Sequence, residues 1–353
     1  LLLALVLGLL LIALQWPLKT IAFSLLNGSD EVETIARQYF DIRIWGAPAT
    51  LGTFCLMGVL VGLGMSRLLL LMQLLLNASN AGLDVYFAGV LDMGARGIAL
   101  GTVVAEWGTL LIAGAVILYQ LNRRKIPSEY FWSRSRIFNR ERLLRTLSAN
   151  RDIMLRTLLL VFSFAFFTNQ SARFGDIILA ANHILMQLIS FSAFFLDGYA
   201  FVAEAAVGTS IGAGRRDRFD LAVKRTTVLA AASALGLALA IWLLGGIAIA
   251  ALTDLDNVRR AANEMLYLAA AYVLISFPAF QLDGIFIGAS FTREMRNAAF
   301  ISVAVFLLAW GLLIERMGVT GLWFAMIVYV AARADALLLY FPRLRRTVPA
   351  AAG

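Results

Sequence analysis

Runs of about 20 apolar residues, repeated along the whole chain, constrain this sequence more than any motif does. A helix of that length fits the hydrocarbon of a bilayer. Such runs place helices at residues 1–26, 41–63, 67–90, 95–120, 153–172, 176–207, 219–250, 263–290, 297–314 and 320–341. Short segments of alternating hydrophobicity, the mark of a membrane β-barrel, do not occur. Composition agrees, since 61% of the 353 residues are apolar and 15% charged, against about 45–50% and ~25% in soluble domains. The expected fold is an all-α integral membrane bundle, and soluble enzyme classes fall away.

The formal charge of +8 reads as topology rather than as nucleic-acid binding. If the basic segment from Asn122 to Asn150 is cytoplasmic, 21 of the 30 Lys and Arg fall in inside loops, eight fall outside, and Arg333 lies within a helix. That is the positive-inside bias, expected here for a multi-pass protein of a bacterial-type inner (plasma) membrane with its C-terminus also cytoplasmic. The same segment divides the chain into an N-terminal lobe (1–121), a basic linker on the anionic leaflet (122–150) and a C-terminal lobe (151–353). The single cysteine, Cys55, and single histidine, His183, exclude a disulfide framework and Cys/His zinc sites.

Two stretches resemble each other at a nearly constant offset. Pro48-Ala49 with Gly58 matches Pro278-Ala279 with Gly288, and Gly94-x-x-Gly97 matches Gly318-x-x-Gly321. The order and spacing predict two like-oriented copies of one bundle. The second copy holds six helices and the first four, so two helices are expected ahead of Leu1. Stepping back by the repeat offset from residue 151 puts the first copy's start roughly 75 residues upstream.

No nucleotide-binding loop is present, because no lysine follows glycine in a Walker pattern. Gly208-Thr209-Ser210-Ile211-Gly212 spells a nucleophile elbow, but it ends a membrane helix and lacks the preceding strand. Ionisable residues inside spans carry more information, since each is costly in hydrocarbon. They are Asp84, Glu106, Asp197, Glu204, Asp283, Arg333 and Asp335, nearly all acidic, which suits proton exchange or cation binding.

Asn77, Asn80 and Asp84 share one face of the third helix, and Thr102 and Glu106 one face of the fourth. Two amides, a hydroxyl and a carboxylate can ligate Na⁺ or tune a carboxylate for protonation; they can equally be polar contacts between helices. On the sixth helix Asp197 and Glu204 share a face, with Asn182, His183 and Gln187 further out, which predicts a wet cavity. Gln281 and Asp283 of the eighth helix are expected to face the same cavity. Arg333 and Asp335, two apart, point away from each other.

Leu196-Asp197-Gly198, Val202-Ala203-Glu204-Ala205, Leu282-Asp283-Gly284, Arg293-Glu294-Met295-Arg296-Asn297, Asn150-Arg151-Asp152-Ile153-Met154-Leu155-Arg156, Asn80-x-x-x-Asp84 and Gly101-Thr102 together resemble the DinF-like branch of the multidrug and toxic compound extrusion (MATE) family. The resemblance covers essentially the whole chain. It implies a twelve-helix, two-lobe bundle with parallel six-helix repeats, of which ten helices are present here, and a central cavity open alternately to each side. It also implies export of amphipathic or cationic small molecules against H⁺ or Na⁺, with no other cofactor, by a monomer in the lipid bilayer. In that family an aspartate of the first helix joins the positions matching Asn80, Asp84 and Thr102 in a cation site. This sequence supplies the last three. Asp197, Glu204 and Asp283 match acidic positions of the branch, implying a part in substrate or proton handling.

Overall fold

The computed structural model describes residues 1–24, 30–123 and 139–349. Among these every regular element is a helix: α1 (Leu2–Ala13), α2 (Gln15–Ser24), α3 (Asp30–Arg43), a 3₁₀ turn (Ile44–Gly46), α4 (Ala47–Gly62), α5 (Ser66–Asp84), a π-helical stretch (Val85–Val90), α6 (Gly94–Arg123), α7 (Arg140–Ala172), α8 (Asp176–Gly212), α9 (Arg216–Leu252), α10 (Asp256–Gly288) and α11 (Thr292–Arg346). The chain divides into two units, residues 1–137 and 138–353.

Eight of the described helical segments are long and apolar enough to cross a membrane on their own. Two details bring the count to the ten expected spans. The α1–α2 pair forms one more span, bent by 64°, where Pro17 lacks the N–H and crowds the Ala13 carbonyl. At 55 residues, α11 would be roughly 80 Å long if straight, far beyond the ~30 Å of hydrocarbon. It is broken at Gly318, whose φ of 56° and ψ of −132° leave the helix, so α11 contributes two spans.

The predicted repeat has a local structural counterpart. Gly94, opening α6, has a φ of 54°, close to that of Gly318. In each case the second glycine of the pair lies against the helix before it. A Cβ on Gly97 would come within 2.7 Å of the Phe87 and Ala88 backbone, and one on Gly321 within 2.5 Å of the Leu313 carbonyl oxygen. The prolines also mark comparable points, for Pro48 follows the 3₁₀ turn that joins α3 to α4, and Pro278 lies inside α10.

The sequence places residues 122–150 in a linker, and the part of it that is described differs. Residues 140–150 are the first turns of α7, continuous with the span. Their run lacks proline and glycine and is rich in Leu and Arg, good helix formers. The remainder, 124–138, lies outside the described residues.

Unit 1 is organised around α6, which packs against α3, α4 and α5, while α1 packs on α4. In unit 2 the most buried element is α10, held between α8, α9 and α11. Gly284 and Gly288, one turn apart, make this possible. A Cβ on Gly284 would fall on the Ala200 carbonyl, and one on Gly288 on the backbone of Glu204. Without side chains there, α10 lies backbone to backbone on α8, which is how helices associate where no hydrophobic effect drives them. Gly284→Ala should therefore lower the melting temperature of the purified protein, at a cost of about 1–3 kcal/mol for overpacking. Gly236→Ala on α9, with open space around it, should leave melting unchanged; equal effects in thermal unfolding would show that the contact does not hold the unit together.

Candidate functional site

Unit 1 brings Asn80, Asp84 and Thr102 together. The Asn80 side-chain amide donates to Thr102 Oγ1 at 3.0 Å and to Asp84 Oδ1 at 3.3 Å, and the Thr102 hydroxyl donates to the Ile98 carbonyl at 2.9 Å. Two local features set this geometry. Asp84 is the last residue of α5, and the helix continues from it with π-helical hydrogen bonding, a widening often found at functional sites. Opposite it stands Gly101, where a Cβ would overlap Asp84 Oδ1 and lie 3.0 Å from the Asp84 backbone nitrogen. Glycine at 101 thus lets the carboxylate settle against α6, beside Thr102. Asp84 takes part in none of the ion pairs among the described residues.

Asn77 does not join this group; it is exposed. Glu106, expected on the same face as Thr102, is turned to another partner. It accepts two hydrogen bonds from Arg43 at the end of α3, Nη1 to Oε2 at 2.8 Å and Nη2 to Oε1 at 3.1 Å. Its side chain is 9% exposed. Gly46 makes room for the pair, as a Cβ there would meet both Glu106 Oε2 and Arg43 Nη1. The sequence analysis did not single out Arg43, although it lies within the predicted span 41–63, and that position was the available signal.

Unit 2 corrects the expectation of carboxylates without matching cations. Asp283 of α10 is paired through Oδ2 with both Arg156 of α7 and Arg333 of α11. Its Oδ1 is buried and has no hydrogen-bond partner among the described residues. Asp197 of α8 lies within electrostatic reach of the same two arginines. Four helices thus contribute two cations and two anions to one cluster, in which Asp283 and Arg333 are buried and Arg156 and Asp197 half-buried, the balance that makes charges tolerable away from water. Arg156 was missed as a site residue, although it falls inside the predicted span 153–172. Asp335 is exposed, turned away from Arg333 as the two-residue spacing predicts.

The expected polar stripe on the sixth span is divided. Asn182 is 2% exposed and joins three elements of the core, donating to Ser171 Oγ at 2.8 Å and accepting from Trp323 Nε1 at 2.9 Å. His183 and Gln187 are exposed, with their polar nitrogens 3.5 Å apart. Glu204 is half-buried with no ion pair among the described residues, its backbone against Gly288. Gln281 is buried and donates to Thr226 Oγ1 on α9 at 2.5 Å, leaving its Oε1 without a partner. Helix periodicity sorted these residues by angle, but the tight α8–α10 approach decided which became core.

Helices that cross a membrane and hold polar and charged groups at the depth of their spans suit a multi-pass membrane transporter. Comparison with known proteins narrows the class. The sequence model of the MatE family matches residues 1–85 and 153–311. DNA damage-inducible protein F of Escherichia coli (strain K12) is 36% identical over 348 residues, covering 97% of this chain and 74% of that protein. Protein DETOXIFICATION 42 of Arabidopsis thaliana is 24% identical over 85% of this chain, which spans 56% of that relative's length. The fold matches the Vibrio cholerae MATE transporter VcmN in its bent form, with a TM-score of 0.82 at 19% identity, covering 97% of this chain and 76% of that one. It also matches a MOP superfamily transporter from Pyrococcus furiosus, with a TM-score of 0.84 at 16% identity over 98% and 77%. The chain belongs to the MATE family, as a DinF-like member.

The Arg43–Glu106 pair gives a direct test of the site's division. Arg43→Met leaves Glu106 buried without its cation and should cost about 3–5 kcal/mol, read as a lower melting temperature. Arg43→Met/Glu106→Met should recover most of that loss. A single variant that melts like the parent would mean the pair does not hold α3 to α6.

Proposed function

We propose that the chain is a secondary active antiporter that exports drugs or toxic amphipathic or cationic compounds in exchange for H⁺ or Na⁺. Asn80, Asp84 and Thr102 are its coupling site. The observation that carries this reading is the environment of Asp84, a carboxylate at span depth whose hydrogen-bond partner is the Asn80 amide, itself bonded to Thr102, rather than an arginine. Clamping by a guanidinium favours the ionised form of a carboxylate. One held by neutral groups can take up and release a proton, and the same oxygens suit Na⁺. Coupling follows when the ion and the exported compound favour opposite conformations. The π-helical stretch after Asp84 and the positive-φ glycine at 94 are the places where the helices beside the site can change direction.

In this reading Asp197, Glu204 and Asp283 handle substrate or protons in unit 2. The protein works as a monomer in a bacterial-type inner membrane, with its basic linker and C-terminus cytoplasmic. It needs no organic cofactor, performs no covalent chemistry and binds no nucleic acid.

A second reading is a flippase for lipid-linked precursors, which needs cationic groups for a pyrophosphate. Arg156 and Arg333 favour it; Asp283 and Asp197, which balance them, favour the exporter. A non-transporting scaffold is the third. Dye-retention assays in cells separate the exporter from the other two. The antiporter lowers retention of a cationic dye in a gradient-dependent way, and Asp84→Asn should abolish that efflux while leaving the amount of folded protein unchanged. Normal efflux from Asp84→Asn would remove Asp84 from the mechanism, and unchanged retention with the parent protein would remove export itself.

A further inference from the structure

At one end of unit 2, the first turns of α7, the α10–α11 connection and the last turn of α11 line an open pocket of about 770 Å³. Five arginines line it: Arg145, Arg151, Arg293, Arg296 and Arg343. Only two carboxylates, Asp152 and Glu294, oppose them, and both are already engaged. Asp152 accepts from Arg296 at 2.7 Å and lies 3.3 Å from Arg151, while Glu294 lies 3.6 Å from Arg343. The carboxylate side chains are 4% and 11% exposed, whereas those of Arg151 and Arg343 are 60% and 73% exposed. Arg145 and Arg293 are exposed and have no ion pair among the described residues. The lining therefore carries three positive charges beyond what its own anions neutralise.

The backbone adds to this. Ser290 takes a φ of 59°, and no side chain caps α11, so the first N–H groups of that helix stand at the pocket's edge without a side-chain acceptor. Guanidinium forks beside free helix N–H groups are the arrangement that recognises phosphate oxygens. The loop-charge count assigns this end to the cytoplasmic leaflet, where anionic headgroups lie.

We infer that this pocket binds a phosphate-bearing anion, with Arg145 and Arg293 as its unpaired contacts. The phosphate of an anionic lipid headgroup and free phosphate share that chemistry. An occupant would tie the start of α7 to both ends of α11, so binding should stabilise unit 2 against unfolding.

The test uses the purified protein in neutral detergent, titrated separately with dihexanoyl-phosphatidylglycerol, dihexanoyl-phosphatidylcholine and inorganic phosphate, with bound probe counted by native mass spectrometry. Phosphatidylglycerol should bind saturably at one per chain, and zwitterionic phosphatidylcholine should not. Arg145→Gln/Arg293→Gln should weaken binding roughly 25-fold, about fivefold per arginine, and Arg218→Gln, exposed outside the pocket, should leave it unchanged. Saturation by inorganic phosphate in the same range would make free phosphate the source; saturation by the lipid alone would make it the headgroup. If the double variant does not fold, Ser148→Asp adds a negative charge to the pocket without removing an arginine and should weaken binding likewise. Equal binding of the two lipids, a double or Ser148→Asp variant that binds like the parent, an equal loss in Arg218→Gln, or no saturable binding would each overturn the inference.

Discussion

An ionisable side chain at the depth of a membrane span is tolerated only where neighbouring helices come close enough to partner or enclose it. In this chain glycine makes that approach. Gly46 leaves room for the Arg43–Glu106 pair, Gly101 for the Asp84 carboxylate against α6, and Gly284 with Gly288 for the crossing of α8 and α10 beside Asp283 and Glu204. A methyl group at any of these positions would collide with a charged atom or with backbone. The charged groups and the glycines facing them are one design, and neither makes sense without the other.

That design sorts the polar residues into two kinds. Glu106 and Asp283 are paired with arginines. Asp84 is held by Asn80, which also bonds Thr102, and its partners are neutral. Fixed pairs hold a bundle in one arrangement, while a carboxylate among neutral donors can change its charge, and with it the packing around it. The distinction rests on what each oxygen touches, and it separates the candidate coupling site from the charges around it.

Much of this was legible in the sequence. Apolar run length placed all ten spans, because the bilayer imposes a length that no soluble core does. The Gly94 and Gly318 pairs marked helix starts that require positive φ, a backbone conformation open to glycine. Asn80, Asp84 and Thr102 were brought together because i, i+4 spacing and adjacent helices leave little freedom. What the sequence did not show was which cations the helices would bring to the acids. Arg43 and Arg156 sit near span ends, where a charge count treats arginine as a loop signal, and only the packing of α3 on α6 and of α7 on α11 reveals them as partners. Asn182 was misplaced for a related reason, since a polar residue on a cavity-facing arc and one bonded to Ser171 and Trp323 have the same periodicity.

The claim on which the account turns is that Asp84 alone among the paired and unpaired acids of unit 1 changes its protonation as the coupling ion binds. Infrared difference spectroscopy of the reconstituted protein measures it directly, through the carbonyl stretch of a protonated carboxylic acid. The account predicts such a band at low pH that is lost on raising the pH or adding Na⁺, is absent from Asp84→Asn and persists in Glu106→Gln. A band that survives in Asp84→Asn and vanishes in Glu106→Gln would contradict it.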